Sequence, residues 1–260
     1  MTQPAALFVS HGAPTLPLED DNPAREFLRA LGRDLRKGTP PNGILVISAH
    51  WETEAPTVSL AEQPETIHDF HGFPEALYRM DYPVPGAPLL ARRVQALLKS
   101  KGMQVESDPS RGLDHGAWVP LNEMFPEARI PVTQLSVMPG QSASAHYAIG
   151  EALQPLKEEG ILILASGGAV HNLMQYRRDP VNVADWARSF DDYLAECVTA
   201  GDVQGLLDPV SHPEIAKAHP TDEHFLPFFV ALGAAGDKKG DVLHRSFSHG
   251  SLSMASYGWD

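Results

Sequence analysis

The apolar residues of this chain fall into two kinds of run. Three runs are short and continuous: residues 5–10, 44–48 and 161–165, each bounded by Gly, Pro or polar residues. Uninterrupted apolar runs of strand length predict strands buried on both faces, as in a sheet covered by helices. Further strand patterns occur at 57–61, 103–106, 131–137, 242–247 and 252–257. Helical patterns fall between them, over 23–37, 87–101, 142–159, 183–199 and 222–235. Strands alternating with helices predict an α/β layered fold. No repeat, low-complexity tract or long linker interrupts residues 1–260, and the Pro-rich stretches at 83–88 and 209–220 read as ordered loops within one domain.

Composition narrows the function. At 260 residues and 43% apolar, the chain suits one large α/β domain with a sizeable core. Its 33 acidic residues outnumber 20 basic ones, a net charge of -13 that repels phosphate backbones, so no nucleic-acid partner is expected. The pairs Arg92-Arg93, Arg177-Arg178 and Lys238-Lys239 are scattered. No apolar run approaches the roughly 18 residues of a membrane span, and the start of the chain lacks a basic segment and a small-residue cleavage site. No membrane partner is expected. The lone Cys197 fits a reducing, cytoplasmic setting.

The twelve histidines are the anomaly, because many sit beside Gly, Asp or Pro. Each of the three clearest strands runs into one: Ser10-His11-Gly12, Ser48-Ala49-His50-Trp51, and Ser166-Gly167-Gly168 with His171 shortly after. Ligands of open α/β sheets sit beyond the carboxyl ends of strands, so these histidines can converge. Asp114-His115-Gly116 and His219-Pro220-Thr221-Asp222-Glu223-His224 join the set. Neutral imidazole is the commonest metal ligand and suits Zn, Fe, Ni and Cu. Each histidine also has a plainer reading. His115 can be fixed by Asp114 and inert, and His224 opens an apolar helix where it can simply pack. His146 lies in a helical pattern and is expected to be solvated, and His212, His219, His244 and His249 are expected on loops and strand edges. The run Thr66-Ile67-His68-Asp69-Phe70-His71-Gly72-Phe73-Pro74, followed by Tyr78 and Tyr82, can line a pocket for a flat aromatic ligand or fold back over the core.

Nine motifs in order resemble the class III extradiol ring-cleaving dioxygenases, in the 4,5-DOPA extradiol dioxygenase-like branch. They are SHGAPT at 10–15, SAHWE at 48–52, TIHDFHGFP at 66–74, YPVPGAP at 82–88, GLDHGAW at 112–118, QLSV at 134–137, SGGAVHN at 166–172, HPTDEHFLP at 219–227 and GSLSM at 250–254. The resemblance covers almost the whole chain. It implies a single three-layer α/β/α domain with a central mixed sheet, and one divalent metal ion held by His11, His50 and His224. It makes His171 either a fourth ligand or an acid–base residue, and His115 a catalytic histidine beside the metal. Glu223 would point about 100° away from a helical His224 and is disfavoured as a ligand. The implied reaction inserts O2 into a small catechol, DOPA-like or other, to give a muconic semialdehyde. Iron(II) is expected for that chemistry, and an all-histidine site also suits zinc. His68, Phe70, Tyr78 and Trp118 are candidate substrate-binding residues. A carboxylated substrate would need a cation, for which Arg79, Arg111 and Arg177 are candidates. A zinc hydrolase and a non-catalytic metal-binding protein on the same scaffold are the alternatives. The chain could be a monomer or a small homo-oligomer.

Overall fold

In the computed structural model, which describes residues 4–177, 182–236 and 238–260, the three continuous apolar runs become neighbouring strands. The strands are, in chain order, β1 (Ala6–Ser10), β2 (Gly43–Glu52), β3 (Thr57–Ser59), β4 (Glu106–Asp108), β5 (Val132–Val137), β6 (Ile161–Gly167), β7 (Asp241–His244), β8 (Phe247–Ser248), β9 (Leu252–Ser253) and β10 (Ser256–Trp259). The helices are α1 (Pro23–Lys37), α2 (Glu75–Tyr78), α3 (Pro88–Ser100), α4 (His115–Met124), α5 (Ala143–Leu153), α6 (Asp185–Ala200), α7 (Val203–Leu207), α8 (Ile215–Ala218) and α9 (Leu226–Ala235). Eight strands form one sheet in the order β4-β3-β5-β2-β6-β1-β10-β7. The central four, β5, β2, β6 and β1, are mutually parallel. β3 and β10 lie antiparallel against their two outer edges, which makes the sheet mixed.

The period of two along a strand sends successive residues to opposite faces. On one face Phe8, Leu45, Ile47 and Ile163 pack under α3, α5, α6 and α9, through residues such as Val94, Ile149, Phe190 and Phe228. On the other, Leu7, Val9, Ile44, Val46 and Leu164 pack under α1 and α4, through Leu28, Leu35, Trp118 and Met124. Both faces are covered, so the strands carry no polar stripe. The layers are α/β/α, as expected.

The differences from the sequence reading have physical causes. α4 was not anticipated because nine of its ten residues are buried, so it carries no amphipathic period. The 142–159 pattern breaks after Leu153: Pro155 lies in the 3-10 turn Gln154–Leu156, where the helix cannot continue. α9 starts only at Leu226, with Pro227 in its first turn, so Glu223 and His224 precede the helix. The pattern at 103–106 becomes the edge strand β4, three residues further along. His146 is fully buried rather than solvated; its Nε2 accepts a hydrogen bond from the Met138 amide, 3.1 Å away, and its ring Nδ1 lies 3.1 Å from the Ser142 carbonyl. Among the described residues no helix is long and apolar enough to cross a membrane.

Candidate metal centre and aromatic pocket

The site lies where β1, β6 and β2 end side by side. Ser10 is in register with Gly167, and Ser48 with Ser166, so the three parallel strands deliver their last residues to one place. The His11 amide donates to the Gly167 carbonyl at 3.0 Å, which fixes the first step beyond β1. His50 is carried by the last turn of pleat in β2. His224 comes from the opposite direction, in the turn that leads into α9. Its carbonyl accepts from the Gly168 amide at 2.9 Å. A Cβ on Gly167 would stand 2.1 Å from that carbonyl oxygen, so only glycine lets the turn dock against β6.

These contacts bring ring nitrogens of His11, His50 and His224 within 4.8 Å of one another. The Nε2 atoms of His11 and His50 are 3.1 Å apart, the separation of two nitrogens each about 2.1 Å from a shared ion. Hydrogen bonding fixes which nitrogen is free. Ser166 Oγ donates to the Gly116 carbonyl, so towards His11 Nδ1, 3.0 Å away, it accepts. Glu223 Oε1 lies 2.9 Å from His224 Nδ1 and, as a carboxylate, only accepts. Both rings therefore carry their proton on Nδ1 and present an Nε2 lone pair to the cluster, the orientation that outer-shell partners impose on metal-ligating histidines.

The His11 and His50 rings are held neutral. Burial, and then the neighbouring His50, His224, His115 and His171 rings, push the His11 pKa well below its usual value. His50 is lowered to about 2 by burial and then by His115 and His224, against the pull of Asp69. Neutral, buried and pre-oriented imidazoles are a donor set that fits one divalent transition-metal ion.

Two carboxylates flank this cluster. Asp69 Oδ1 accepts from the His115 amide and Oδ2 from His115 Nδ1, both at 2.9 Å. Burial opposes ionisation of Asp69, but the hydrogen bonds from His115 outweigh it and hold the carboxyl at about 2. His115 therefore keeps its proton on Nδ1 and points Nε2 away from the carboxylate; its ring centroid is 4.0 Å from that of His50. Asp114, the partner of His115 in one of the two readings of the sequence, instead caps α4, accepts from Ser48 Oγ and pairs with Arg111. Glu223 is likewise held at about 2, chiefly by its hydrogen bond from His224. It reaches His224 because both residues lie in a turn, where the 100° helical offset does not apply. His171 stacks on His224 at 3.5 Å between centroids, with 8° between planes. Burial and then His224 lower its pKa to about 3. His171 groups with Glu223 and His224, not with His11 and His50.

The cluster opens into a cavity of about 490 Å3, into which His11, His50, His115, His171 and His224 all face. Phe70, Phe73, Leu173, Leu252 and Met254 give it apolar walls. Of the four aromatic-pocket candidates, Phe70 lines this cavity. His68, Tyr78 and Trp118 surround the Phe70 ring from behind, at 5.7, 5.2 and 6.5 Å between centroids. Trp118 is 1% exposed and spends its indole N–H on the Ile67 carbonyl. His219, expected on a loop surface, is buried: it stacks on Phe225 and bonds the Ala169 carbonyl through Nε2. Asp69 and Ser166 were not singled out as site residues. Asp69 had a signal, a carboxylate set between two histidines and two aromatics. Ser166 had none beyond closing a strand.

A three-layer α/β domain with a histidine cluster at the carboxyl ends of parallel strands, opening into an apolar pocket, defines a candidate metalloenzyme for a small apolar substrate. The chain belongs to the family described as the catalytic LigB subunit of aromatic ring-opening dioxygenase, which matches residues 5–259. It is thus an aromatic ring-opening dioxygenase, an oxidoreductase of a metal-dependent family. A Beta vulgaris protein named 4,5-DOPA dioxygenase extradiol is 45% identical over 253 residues, covering 96% of this chain and 94% of its own. A protein of the same name from Escherichia coli (strain K12) is 39% identical over 260 residues, covering 98% and 94%. The crystal structure of an uncharacterized Escherichia coli K12 protein superposes with a TM-score of 0.83 at 33% identity, covering 98% of this chain and 99% of that one.

Proposed function

We propose that the ring this dioxygenase opens is a small DOPA-like catechol, cleaved on the extradiol side with O2, and that one divalent ion, iron(II) for ring cleavage, is held by His11, His50 and His224. The observation that carries the reading is the convergence of three imidazoles on the floor of an apolar cavity of about 490 Å3, which has room for a substituted aromatic ring. When bound, the ion supplies a positive centre for two adjacent phenolic oxygens and the one-electron chemistry that dioxygen requires.

The protein's own groups do the rest. His115 Nε2 takes a phenolic proton as the catechol enters, and Asp69 stabilises the imidazolium that results. His171 acts as the second acid–base group rather than as a ligand. Its support is placement: it lines the cavity but stacks against His224 instead of sharing the His11–His50 centre. A protonated histidine then returns the proton to an oxygen as the ring opens. Phe70 and Phe73 press on the faces or edges of the ring and keep water out. His68, Tyr78 and Trp118 hold Phe70 in place. The compartment proposed is the cytoplasm, which the single buried Cys197 suits.

The test is anaerobic reconstitution of metal-free protein with Fe(II) or Zn(II), followed by O2 uptake and visible spectra with a catechol panel that includes DOPA. Iron-dependent uptake with a yellow semialdehyde product is expected. No uptake with any catechol would overturn the reading.

A further inference from the structure

The sequence leaves open which cation would bind a carboxylated substrate, and none of the three candidates lines the cavity. Arg79 pairs with Glu75 on the surface. Arg111 is spent on Asp114 and the His50 carbonyl, behind the site. Arg177 is exposed and outside the cavity wall. Among the described residues no Lys or Arg lines the cavity. One carboxylate does: Glu19, in the loop after β1 that also carries His11.

Glu19 is held but not neutralised. Thr15 Oγ1 donates to its Oε1, and Asn22 Nδ2 donates to its Oε2 at 2.7 Å. Both donors are neutral, and no cation among the described residues forms an ion pair with it. Asn22 is itself fixed as the N-cap of α1, with its Oδ1 accepting from the Ala24 and Arg25 amides. The carboxylate is thus oriented by a chain of hydrogen bonds that ends on a helix.

We propose that Glu19 is the specificity-determining residue for the side chain of the substrate, and that it selects catechols bearing an ammonium group over amine-free or purely anionic ones. The inference rests on the catechol reading above. The ring enters the apolar part of the cavity, and the ammonium group of its side chain meets the Glu19 carboxylate in a charge-assisted hydrogen bond. A carboxylate in that position would meet a like charge, with no Lys or Arg of the described residues lining the cavity to offset it.

The test separates this proposal from the ring-cleavage reading by using phenols that cannot be cleaved. Dissociation constants of tyramine, 4-ethylphenol and 3-(4-hydroxyphenyl)propionate are measured by calorimetry on the metal-free protein. Wild type is expected to prefer tyramine to 4-ethylphenol by about 5- to 10-fold, the size of a partly screened charge pair, and to bind the propionate weakest. Glu19→Gln should bring the first ratio close to one, and Glu19→Asp should retain part of it. The wild-type ratio and its decline with added salt test the proposal even if the Gln variant folds poorly. Equal binding of the three phenols, or no binding of any, would overturn it. Failure of iron-loaded protein to open any catechol would instead overturn the ring-cleavage reading and leave the phenol preference to stand or fall on its own.

Discussion

At the scale of residues, the site is a set of imidazoles, and what differs among them is the partner of the second nitrogen. His11 is backed by Ser166 and His224 by Glu223, both with Nε2 turned to the cluster. His11→Ala is expected to lose the ion altogether: metal analysis after dialysis should fall from one equivalent to near zero, and activity with it. His115 is backed by Asp69 through two hydrogen bonds, one to its ring and one to its amide. Asp69→Asn keeps the size but removes the charge that stabilises the imidazolium. The expected result is retained metal with kcat lower by about 10- to 100-fold, the usual cost of removing an orienting partner. Metal stoichiometry and steady-state kinetics on one preparation would check this. Loss of metal in Asp69→Asn would place Asp69 in the ion's own shell instead.

At the scale of elements, the histidines at strand ends were legible because strand and site follow one rule. A continuous apolar run predicts a buried parallel strand, and the carboxyl ends of such strands face the ligand. His11 and His50 follow from that alone. His224 does not: it arrives through the turn before α9, and only the docking of that turn against Gly167 and Gly168 puts it beside them. The pairing of Asp69 with His115 is hidden for the same reason, since the two meet across 46 positions of sequence. α4 escaped because a helix buried on nearly every side has no polar stripe to give its period away. The docking contact is testable. Gly167→Ala places a methyl 2.1 Å from the His224 carbonyl, so the turn must move. A loss of about 1–3 kcal/mol is expected from overpacking, together with weaker metal binding because His224 shifts. Urea denaturation and a metal competition titration would measure both effects. An Ala variant with wild-type stability and affinity would show that the turn accommodates freely.

At the scale of the whole molecule, the fold keeps several titratable groups in a single protonation state, and its stability must follow pH accordingly. Besides His11, His50 and His171 at the site, burial lowers the pKa of His146 under β5 and takes that of His219 to about 4. An unfolded histidine titrates near 6.5, so below that pH the unfolded chain binds protons that the native chain refuses. Each such group contributes stability that is complete above about 6.5 and declines as pH falls towards its native value. The slope approaches about 1.4 kcal/mol per pH unit for each fully refusing imidazole. Asp69 and Glu223, held near 2, act in the same direction but only below the ordinary carboxylate range. The metal-free protein is therefore expected to lose stability from pH 6.5 downwards, well before its carboxylates titrate. An ion on His11, His50 and His224 competes with protons for the same lone pairs, so its stabilisation should also fade across that range. Urea midpoints of the metal-free protein at pH 7.5, 6.5, 5.5 and 4.5 would trace the curve. His146→Gln keeps a side-chain acceptor for the Met138 amide while removing one titrating ring, and should flatten the curve above pH 4.5. A stability profile level down to pH 4.5 would mean that the buried imidazoles accept protons in the native state, and that the neutral donor set on which the metal centre depends is not maintained by the fold.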